Sequence, residues 1–277
     1  MEQKDFIEVI NNKIDNKHVA DIYLKQIKNY YDANNYNLKN HNYEVGDDVI
    51  LKKGTLLHGT YKNIDGLKEI VENGLIASWF IDGRLSKYPS SVGVWNLKNE
   101  FKLKDYINFY SGGTLEITMI NGNKNTKVIP YDEMSNVMEE VLSEENKFRW
   151  MIEQTKEARF LPSLVQDKVQ IGIIFSSDNE YINNLLKYNI LSENITDEDA
   201  KYFVNEQYYE RFIIDKKNKN DFFTDRESAI LFGVPSNFIE GILVGRNYEK
   251  DANILKYIKC ILPDCYICNL DGKVIVI

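Results

Sequence analysis

The stretch Leu56–Leu75, LLHGTYKNIDGLKEIVENGL, runs from an apolar pair straight into a histidine, a glycine and a threonine. The apolar pair predicts the end of a β-strand, which would deliver His58 to its tip. Gly59 follows without a side chain, so a ligand could approach the backbone closely at this point. These residues therefore predict a strand, a polar turn and a ligand pocket beside His58. The same residues also fit a solvated turn in which the histidine is satisfied by the protein alone.

A short helix is predicted after this turn, over residues 64–73. Its apolar residues recur three and four positions apart, as on one face of a helix: Ile64, Leu67, Ile70 and Val71. Asn63 stands directly before them and is expected to cap the helix N-terminus. Gly74 stands where a glycine commonly ends a helix. The whole unit is a strand, a turn and a helix.

The rest of the chain mixes helical and strand patterns in an order that predicts the α+β class. Apolar positions at helical spacing between residues 4 and 33 predict two helices, and the Asn-rich residues 32–42 are interpreted as a linker. Short apolar runs bounded by turn signals predict strands in seven segments: 48–59, 113–120, 126–130, 169–175, 239–245, 257–262 and 273–277. Further helices are predicted over 133–158, 179–188 and 197–212. The sequence contains no Gly-x-Gly-x-x-Gly, which argues against a doubly wound dinucleotide fold.

Composition and charge narrow the function classes. Of the 277 residues, 43% are hydrophobic and 27% are charged, which is typical of a soluble globular protein. The N-terminus lacks the apolar core of a signal peptide, and no segment approaches the roughly 20 apolar residues of a membrane helix, so a cytoplasmic protein without membrane contact is expected. The net charge of −8 argues against charge-driven nucleic-acid binding, although it leaves a local basic groove open.

All three cysteines lie near the C-terminus, and two of them, Cys265 and Cys268, form a Cys-x-x-Cys pair. Such a pair suits a zinc site, but a structural site needs four ligands and no nearby histidine completes the set. The alternative is that these cysteines are buried strand residues. No metal is therefore expected.

Two tyrosines, Tyr106 and Tyr110, lie four residues apart in DYINFY, beside the predicted strand at 113–120. Their rings could pack against the flat ring of a ligand. Core packing is the alternative for each of them.

In this order the motifs resemble those of the ADP-ribosyltransferase superfamily, whose first strand ends in a histidine, a further residue and Thr or Ser, followed by a helix and Gly-Leu. LLHGT, Asn63 and ENGL match that pattern. Within the superfamily the chain most resembles the DarT-type toxins, which attach ADP-ribose to bases of single-stranded DNA. The further matching segments, in chain order, are DYINFY at 105–110, VQIGIIF at 169–175, ITDEDAKYF at 195–203 and DRESAILFGVPSNFIEGILVG at 225–245. HGT alone would also suit poly-ADP-ribose polymerases and tRNA 2'-phosphotransferases, whereas the ordered set resembles the DarT type.

The resemblance implies a split β-sandwich with flanking helices, in which residues 43–277 form the catalytic domain and residues 1–42 an N-terminal helical extension. It implies that NAD is a consumed substrate and that Glu227 stabilises the cation-like ribose carbon when nicotinamide leaves. Arg84 is the implied arginine that assists NAD binding and the transfer. The implied NAD-binding residues are His58, Gly59, Thr60, Asn63, Tyr106 and Tyr110.

Glu227 has an alternative interpretation and a rival. Apart from the resemblance, it reads as an exposed acid in a charged stretch, as most glutamates are. Glu240 is the rival, and it lies on a predicted buried strand, where it is expected to pair with Arg246 or point to solvent. The resemblance favours Glu227, because in the family motif the glutamate precedes a Val-Pro by seven residues, as Glu227 precedes Val234.

The leading function hypothesis is a mono-ADP-ribosyltransferase that modifies a nucleic-acid base, with single-stranded DNA favoured, as a toxin or phage-conflict effector. An antitoxin or inhibitor protein is then an expected partner. A base must be unstacked to react, and the residues expected to line its approach are Phe148, Arg149, Trp150, Lys156 and Arg159. A helix packed into the core is the alternative for that segment. Two further hypotheses are a protein side chain as the acceptor, which the acidic net charge keeps open, and an NAD-binding module without catalysis.

Overall fold

The structure is a computed structural model, and it describes the chain over the following ranges: 2–38, 41–60, 62–83, 90–111, 114–119, 126–130, 150–154, 169–177, 179–190, 192–206, 209 and 227–277. Within them the backbone alone is described for 108–111, 114–119, 126–130, 150–154, 179 and 227.

Nine α-helices lie within these ranges: α1 (Gln3–Lys13), α2 (Lys17–Ala33), α3 (Asn63–Asn73), α4 (Ser78–Ile81), α5 (Leu103–Ser111), α6 (Asn179–Leu186), α7 (Ala200–Phe203), α8 (Arg246–Glu249) and α9 (Ala252–Ile261). The described strands are β1 (Ile50–Leu51), β2 (Leu56–Gly59), β3 (Leu75–Ile76), β4 (Ser91–Asn96), β5 (Phe101–Lys102), β6 (Thr114–Met119), β7 (Thr126–Pro130), β8 (Trp150–Gln154), β9 (Ile171–Phe175), β10 (Glu227–Leu231), β11 (Gly233–Val234), β12 (Ile239–Val244), β13 (Tyr266–Cys268) and β14 (Val274–Val276). The expected mixed α+β class with N-terminal helices is confirmed.

The main sheet has seven strands in the order β10-β4-β2-β9-β12-β13-β14. Its neighbouring strands are antiparallel except β12 and β13, which are parallel. Three smaller described sheets pair β1 with β5, β11 with β3, and β6 with both β7 and β8. The strand that carries His58 therefore lies in the interior of the main sheet, between β4 and β9.

Successive side chains of this sheet enter two different hydrophobic cores, because side chains alternate between the two faces of a strand. Leu56 belongs to the larger core, together with residues of α1 and α2. Leu57, the next residue, belongs to the smaller core, together with Trp95 and Tyr106. The alternation at Leu56 and Leu57 thus explains why the sequence places two leucines in a row before His58.

The two N-terminal helices share the larger core with the sheet. Phe6 of α1 packs edge-on against Phe232, with ring centroids 4.8 Å apart, and Tyr30 of α2 does the same at 4.9 Å. Each of these helices buries one face, as their amphipathic sequences predict. Helices α1 and α2 are therefore integral to the packing of the main sheet.

The Asn-rich stretch interpreted as a linker is anchored at Tyr36. The Tyr36 ring stacks on Phe238 with centroids 4.3 Å apart, and its hydroxyl lies 2.7 Å from the Ser176 Oγ. Asn237 adds a side-chain amide that donates to the carbonyls of Ala33 and Tyr36, at 3.1 and 2.8 Å. The chain between α2 and β1 thus packs on the sheet at this residue.

Several local predictions are confirmed, two are wrong, and the helix predicted over 197–212 is described only as α7, after which Val204 is extended. The helix at 64–73 and the strands at 169–175 and 239–245 form as α3, β9 and β12. The predicted strand at 257–262 is instead part of α9, because the Asp251 carboxylate accepts the backbone N–H groups of Asn253 and Ile254 and starts a helix there. The predicted helix at 133–158 contains the strand β8, while residues 131–149 lie outside the described residues.

In the part of the chain that the structure describes, no helix has both the length and the apolar run needed to span a bilayer.

Candidate functional site

His58 lies near the end of β2, where two glycines face each other across the sheet. His58 pairs with Ile173 of β9, and Gly59 pairs with Gly172. Neither strand carries a side chain at that last pair; Gly59 is half-buried and Gly172 is buried. The strand end at His58 forms as predicted, and the ligand pocket beside it stays a prediction.

The His58 ring is oriented by the neighbouring strand β4. Its Nδ1 lies 2.9 Å from the carbonyl oxygen of Gly93. A carbonyl only accepts, so Nδ1 carries the proton, and in the neutral ring Nε2 is the acceptor nitrogen. The half-buried imidazole is therefore held in one tautomer by backbone geometry.

Thr60 turns the chain from β2 into α3. Its backbone N–H donates to the carbonyl of Ile171 at 3.2 Å, and its carbonyl accepts the N–H of Asn63 at 3.1 Å. The Thr60 side chain is buried, and a Cβ added to Gly66 would come within 1.9 Å of its Oγ1. Gly66 therefore makes room for the Thr60 hydroxyl, a role that the helical pattern alone did not reveal.

Asn63 does not cap α3 as expected. It is the first residue of that helix, with Lys62 at the N-cap, and it adopts the left-handed conformation at φ 52°. Its Oδ1 accepts the backbone N–H of Gln170 at 2.7 Å. The Asn63 side chain thus ties the start of α3 to the start of β9.

Gln170 extends the same connection to β12. Its carbonyl accepts the N–H of Gly245 at 2.9 Å, and its Oε1 accepts the N–H of Asn247 at 3.2 Å. The ends of β2, β9 and β12 are therefore joined by one set of hydrogen bonds. Gln170 was not identified from the sequence, because an isolated glutamine before a strand carries no signal.

Glu227 begins β10, which is separated from β2 by one strand, β4. The sheet register places it opposite Trp95 of β4, and Trp95 opposite Leu57, the residue before His58. Two strand spacings put the Glu227 and Leu57 backbones about 10 Å apart.

The Glu227 and Tyr110 side chains and all of Arg84 lie outside the described residues. The same holds for four of the five residues expected to line the approach of a base, and the fifth, Trp150, begins β8.

Tyr106 takes the core position that was one of its two predicted alternatives. It is fully buried in the smaller core, and its ring packs against Phe101 with centroids 5.3 Å apart. Contact between this ring and a ligand would require α5 to move.

The cysteines form no metal site. Buried Cys265 and Cys268 donate their thiols to the carbonyls of Ile239 and Ile242. Burial raises the pKa of Cys265 to about 12 and that of Cys268 further above its ordinary value, so both stay protonated at neutral pH. Across the described ranges, no cluster of three His, Cys, Asp or Glu side chains could hold a metal ion.

Glu240 lies at the other end of the sheet, and neither expectation for it is correct. It is the second residue of β12, while Arg246 follows the end of that strand, roughly 20 Å further along, so the two cannot pair. Only 14% of the Glu240 side chain is exposed, and its Oε2 lies 3.8 Å from the His41 Nε2. These two residues line a cavity of about 440 Å³ that no sequence pattern predicted.

The comparisons with known proteins assign no family. No family model matches the chain, and neither the curated proteins nor the solved structures include a significant match. Function is therefore argued from the two ends of the sheet.

Proposed function

We propose that the chain is an NAD-dependent mono-ADP-ribosyltransferase with the split β-sandwich fold, and that it modifies a base of single-stranded DNA. The observation that carries the proposal is the strand order β10-β4-β2, which leaves only β4 between the Glu227 position and the His58 strand. These positions lie 169 residues apart in sequence. The register aligns position 227 with Leu57, whose side chain alternates with that of His58, so a shared NAD site also requires the start of β10 to turn Glu227 toward the His58 face.

The geometry at the tip of β2 supports binding of a ribose. With Nδ1 donating to the Gly93 carbonyl, the acceptor nitrogen of the neutral His58 ring is Nε2, the type of group that bonds a ribose hydroxyl. The half-buried Gly59 carries no side chain over the backbone group that would bond the nicotinamide amide. Both features suit the roles that the resemblance assigns to His58 and Gly59.

The proposed reaction is a substitution at the ribose carbon C1. The bond from C1 to nicotinamide breaks, and nicotinamide leaves with the electron pair. A base nitrogen or oxygen then attacks C1 and loses its proton to solvent. Glu227 supplies a negative charge to the cation-like ribose, and Arg84 assists binding and transfer.

Consumption of NAD in this way suits a toxin or an effector in phage conflict. An antitoxin or inhibitor protein would then hold the activity in check. A protein side chain is the second candidate acceptor, and the net charge of −8 favours it, because such a charge repels the phosphates of nucleic acid.

Transfer from adenine-labelled NAD tests the proposal directly. The purified chain is offered single-stranded DNA, RNA and a cell protein extract in parallel, and free nicotinamide is measured in each. We expect label on DNA, and a loss of about 100-fold or more in Glu227→Gln, because that variant removes the charge facing the transition state. Glu72→Gln is the matched control, since Glu72 lies on the surface of α3 with 58% of its side chain exposed.

Each other outcome would contradict part of the proposal. Label on protein alone would establish the second acceptor. Loss of transfer in Glu240→Gln but not in Glu227→Gln would give the catalytic role to Glu240. NAD binding without nicotinamide release, unchanged by Glu227→Gln, would identify a binding module without catalysis.

A further inference from the structure

The cavity of about 440 Å³ lies at the end of β2 and β9 that is opposite to His58. Three parts of the chain form it: the segment after α2, β1 with the residue that follows it, and the junction of β9 with β12. Ser176 and Ser177 follow Phe175, which pairs with Leu56 at the start of β2. Its volume is within the range of cavities that hold small molecules.

Two of its walls are fixed by hydrogen bonds inside the protein. The Tyr36 hydroxyl lies 2.7 Å from the Ser176 Oγ. The Tyr43 hydroxyl accepts the backbone N–H of Ile50 at 3.2 Å, and its ring stacks on the His41 ring with centroids 5.8 Å apart. These residues shape the cavity, and their polar groups are occupied in doing so.

Two other polar groups in the cavity are left without partners. The Glu240 carboxylate accepts no hydrogen bond from the described residues, although only 14% of its side chain is exposed. The buried His41 Nε2 also has no hydrogen-bond partner, and at 3.8 Å from the Glu240 Oε2 it is too far to bond to it. The His41 Nε2 is fully buried, whereas the Glu240 carboxylate keeps slight access to solvent. Burying such groups without a partner is costly, so the carboxylate favours an external donor, as does Nε2 in the tautomer with its proton on Nδ1.

The charges around these groups agree with that interpretation. Desolvation raises the pKa of Glu240 to about 7 and lowers the pKa of His41 from its ordinary value. The raised pKa of Glu240 means that no described cation offsets the desolvation of its carboxylate, whereas the pKa of His41 is lowered by burial and by repulsion from Lys52. Lys52 is an exposed residue on the cavity wall, and its charge lowers the Glu240 pKa less than desolvation raises it. Among the described residues, no carboxylate lies within 4.0 Å of the Lys52 ammonium.

We propose that this cavity binds a small zwitterion of the α-amino-acid type, with its ammonium between Glu240 and His41 and its carboxylate on Lys52. An ammonium has three donors and a positive charge, so it satisfies both unpaired groups at once. The carboxylate supplies the missing partner of Lys52. A simple amine lacks that second contact, and a simple acid is repelled by Glu240.

The zwitterion site is independent of the proposed transferase. It uses no residue of the β2 tip, and it is built in part by the segment between α2 and β1, which lies outside the segments that resemble the transferase motifs. Failure of either proposal leaves the other standing.

Titration calorimetry of the full chain with each of the twenty common L-amino acids, at pH 8, tests the site. The amine and the carboxylic acid that correspond to the best-binding amino acid are then titrated as matched analogues. We expect the amino acid to bind at least tenfold more tightly than either analogue. Lys52→Met and Glu240→Gln should each weaken binding at least tenfold, while Lys53→Met, an exposed neighbour, should leave it unchanged.

Three results would overturn the proposal. The first is that no amino acid binds at 10-fold excess over about 1 mM protein. The others are that the amine binds as tightly as the amino acid, or that both variants retain binding. Thermal unfolding of each variant distinguishes lost binding from lost fold. Glu240→Gln replaces a carboxylate with a neutral amide of the same shape, so this variant is expected to fold.

Discussion

The two ends of the central strands β2 and β9 differ in how their polar groups are satisfied. At the His58 end, the hydrogen bonds of Thr60, Asn63 and Gln170 are made to backbone groups of the protein itself. At the opposite end, Glu240 and His41 face each other at 3.8 Å without a hydrogen bond. Both ends are built on the same strands.

This difference separates two ways in which a sheet end can prepare a site. Where polar side chains bond to the backbone, they fix a turn and hold a ligand-binding group in one orientation, as Gly93 does for His58. Where they are buried without partners, the fold carries an energetic cost that a ligand or a proton can relieve. Replacing a polar side chain that bonds to the backbone at the first kind of end should lower stability, whereas replacing the desolvated carboxylate of Glu240 at the second should raise it.

The largest effect is expected from Glu240→Gln. Because the folded pKa of about 7 lies above the ordinary 4.5, the fold favours the protonated acid, and stability falls as pH rises from 4.5 through 7. At about 1.4 kcal/mol for each pKa unit, the penalty at pH 8 is roughly 3 kcal/mol. The variant should therefore be more stable than the parent at pH 8 by up to that amount, and equal to it near pH 4.5.

Urea unfolding of parent and variant at pH 4.5, 6 and 8 measures this difference. The groups that face or act on Glu240 are His41, Lys52, Tyr43, Tyr266 and Cys265. Of these, His41 opposes the trend. Its pKa is lowered in the folded protein, so protonation of His41 destabilises the fold as pH falls through about 6.5. A variant that is less stable than the parent at pH 8 would contradict the unpaired state of Glu240.

Gly241→Ala tests the packing directly beside Glu240. A Cβ at this position would come within 2.4 Å of the ring carbons of Tyr266, which is almost fully buried. We expect a loss of about 2.5 kcal/mol in the free energy of unfolding, since neither the strand nor the ring can shift freely. In the double variant with Tyr266→Leu, the added cost of the alanine should largely disappear, and an additive result would exclude the ring as its cause.

Asn63 gives the corresponding test at the His58 end. Asn63→Ala removes the acceptor of the Gln170 N–H and places an alanine at φ 52°, so we expect a loss of about 2 kcal/mol. Asn63→Gly removes the bond without the strain and should cost about half as much. Thermal or urea unfolding ranks the two, and equal losses would show that the backbone conformation contributes nothing.

The smallest effect is expected from Tyr36→Phe, at the wall of the cavity. The ring stacked on Phe238 is kept, and the contact of the hydroxyl with Ser176 is lost. A loss of about 1 kcal/mol follows from one neutral hydrogen bond. A loss as large as that of Tyr36→Ala would mean that the ring contributes little.

The strand, turn and helix around His58 could be predicted because their pattern is local. Leu56 and Leu57 alternate between two cores, and the apolar residues of α3 repeat at helical spacing. The segment at 257–262 was predicted wrongly, because a short apolar run fits a strand as well as a helix and the cap at Asp251 lies outside it.

The candidate sites were predictable only in part for a similar reason. His58 and Gly59 lie within one motif, whereas His41 and Glu240, which face each other across the cavity, are almost 200 positions apart in sequence. Nothing local marks His41 as a partner of Glu240, and the same holds for Asn63 and Gln170. Sequence patterns therefore predicted the strand, turn and helix that carry the first candidate site and indicated nothing of the second.

The packing of Phe6 on Phe232 also has a consequence for the order in which the chain can fold. The first helix leaves the ribosome more than 200 residues before its aromatic partner, and Tyr36 precedes Phe238 by a similar interval. At typical synthesis rates this delay is on the order of ten seconds or more, during which the apolar faces of α1 and α2 have no sheet to cover. The larger core closes only after the residues around Phe232 and Phe238 have been made, so a nascent chain acquires no working site before that point.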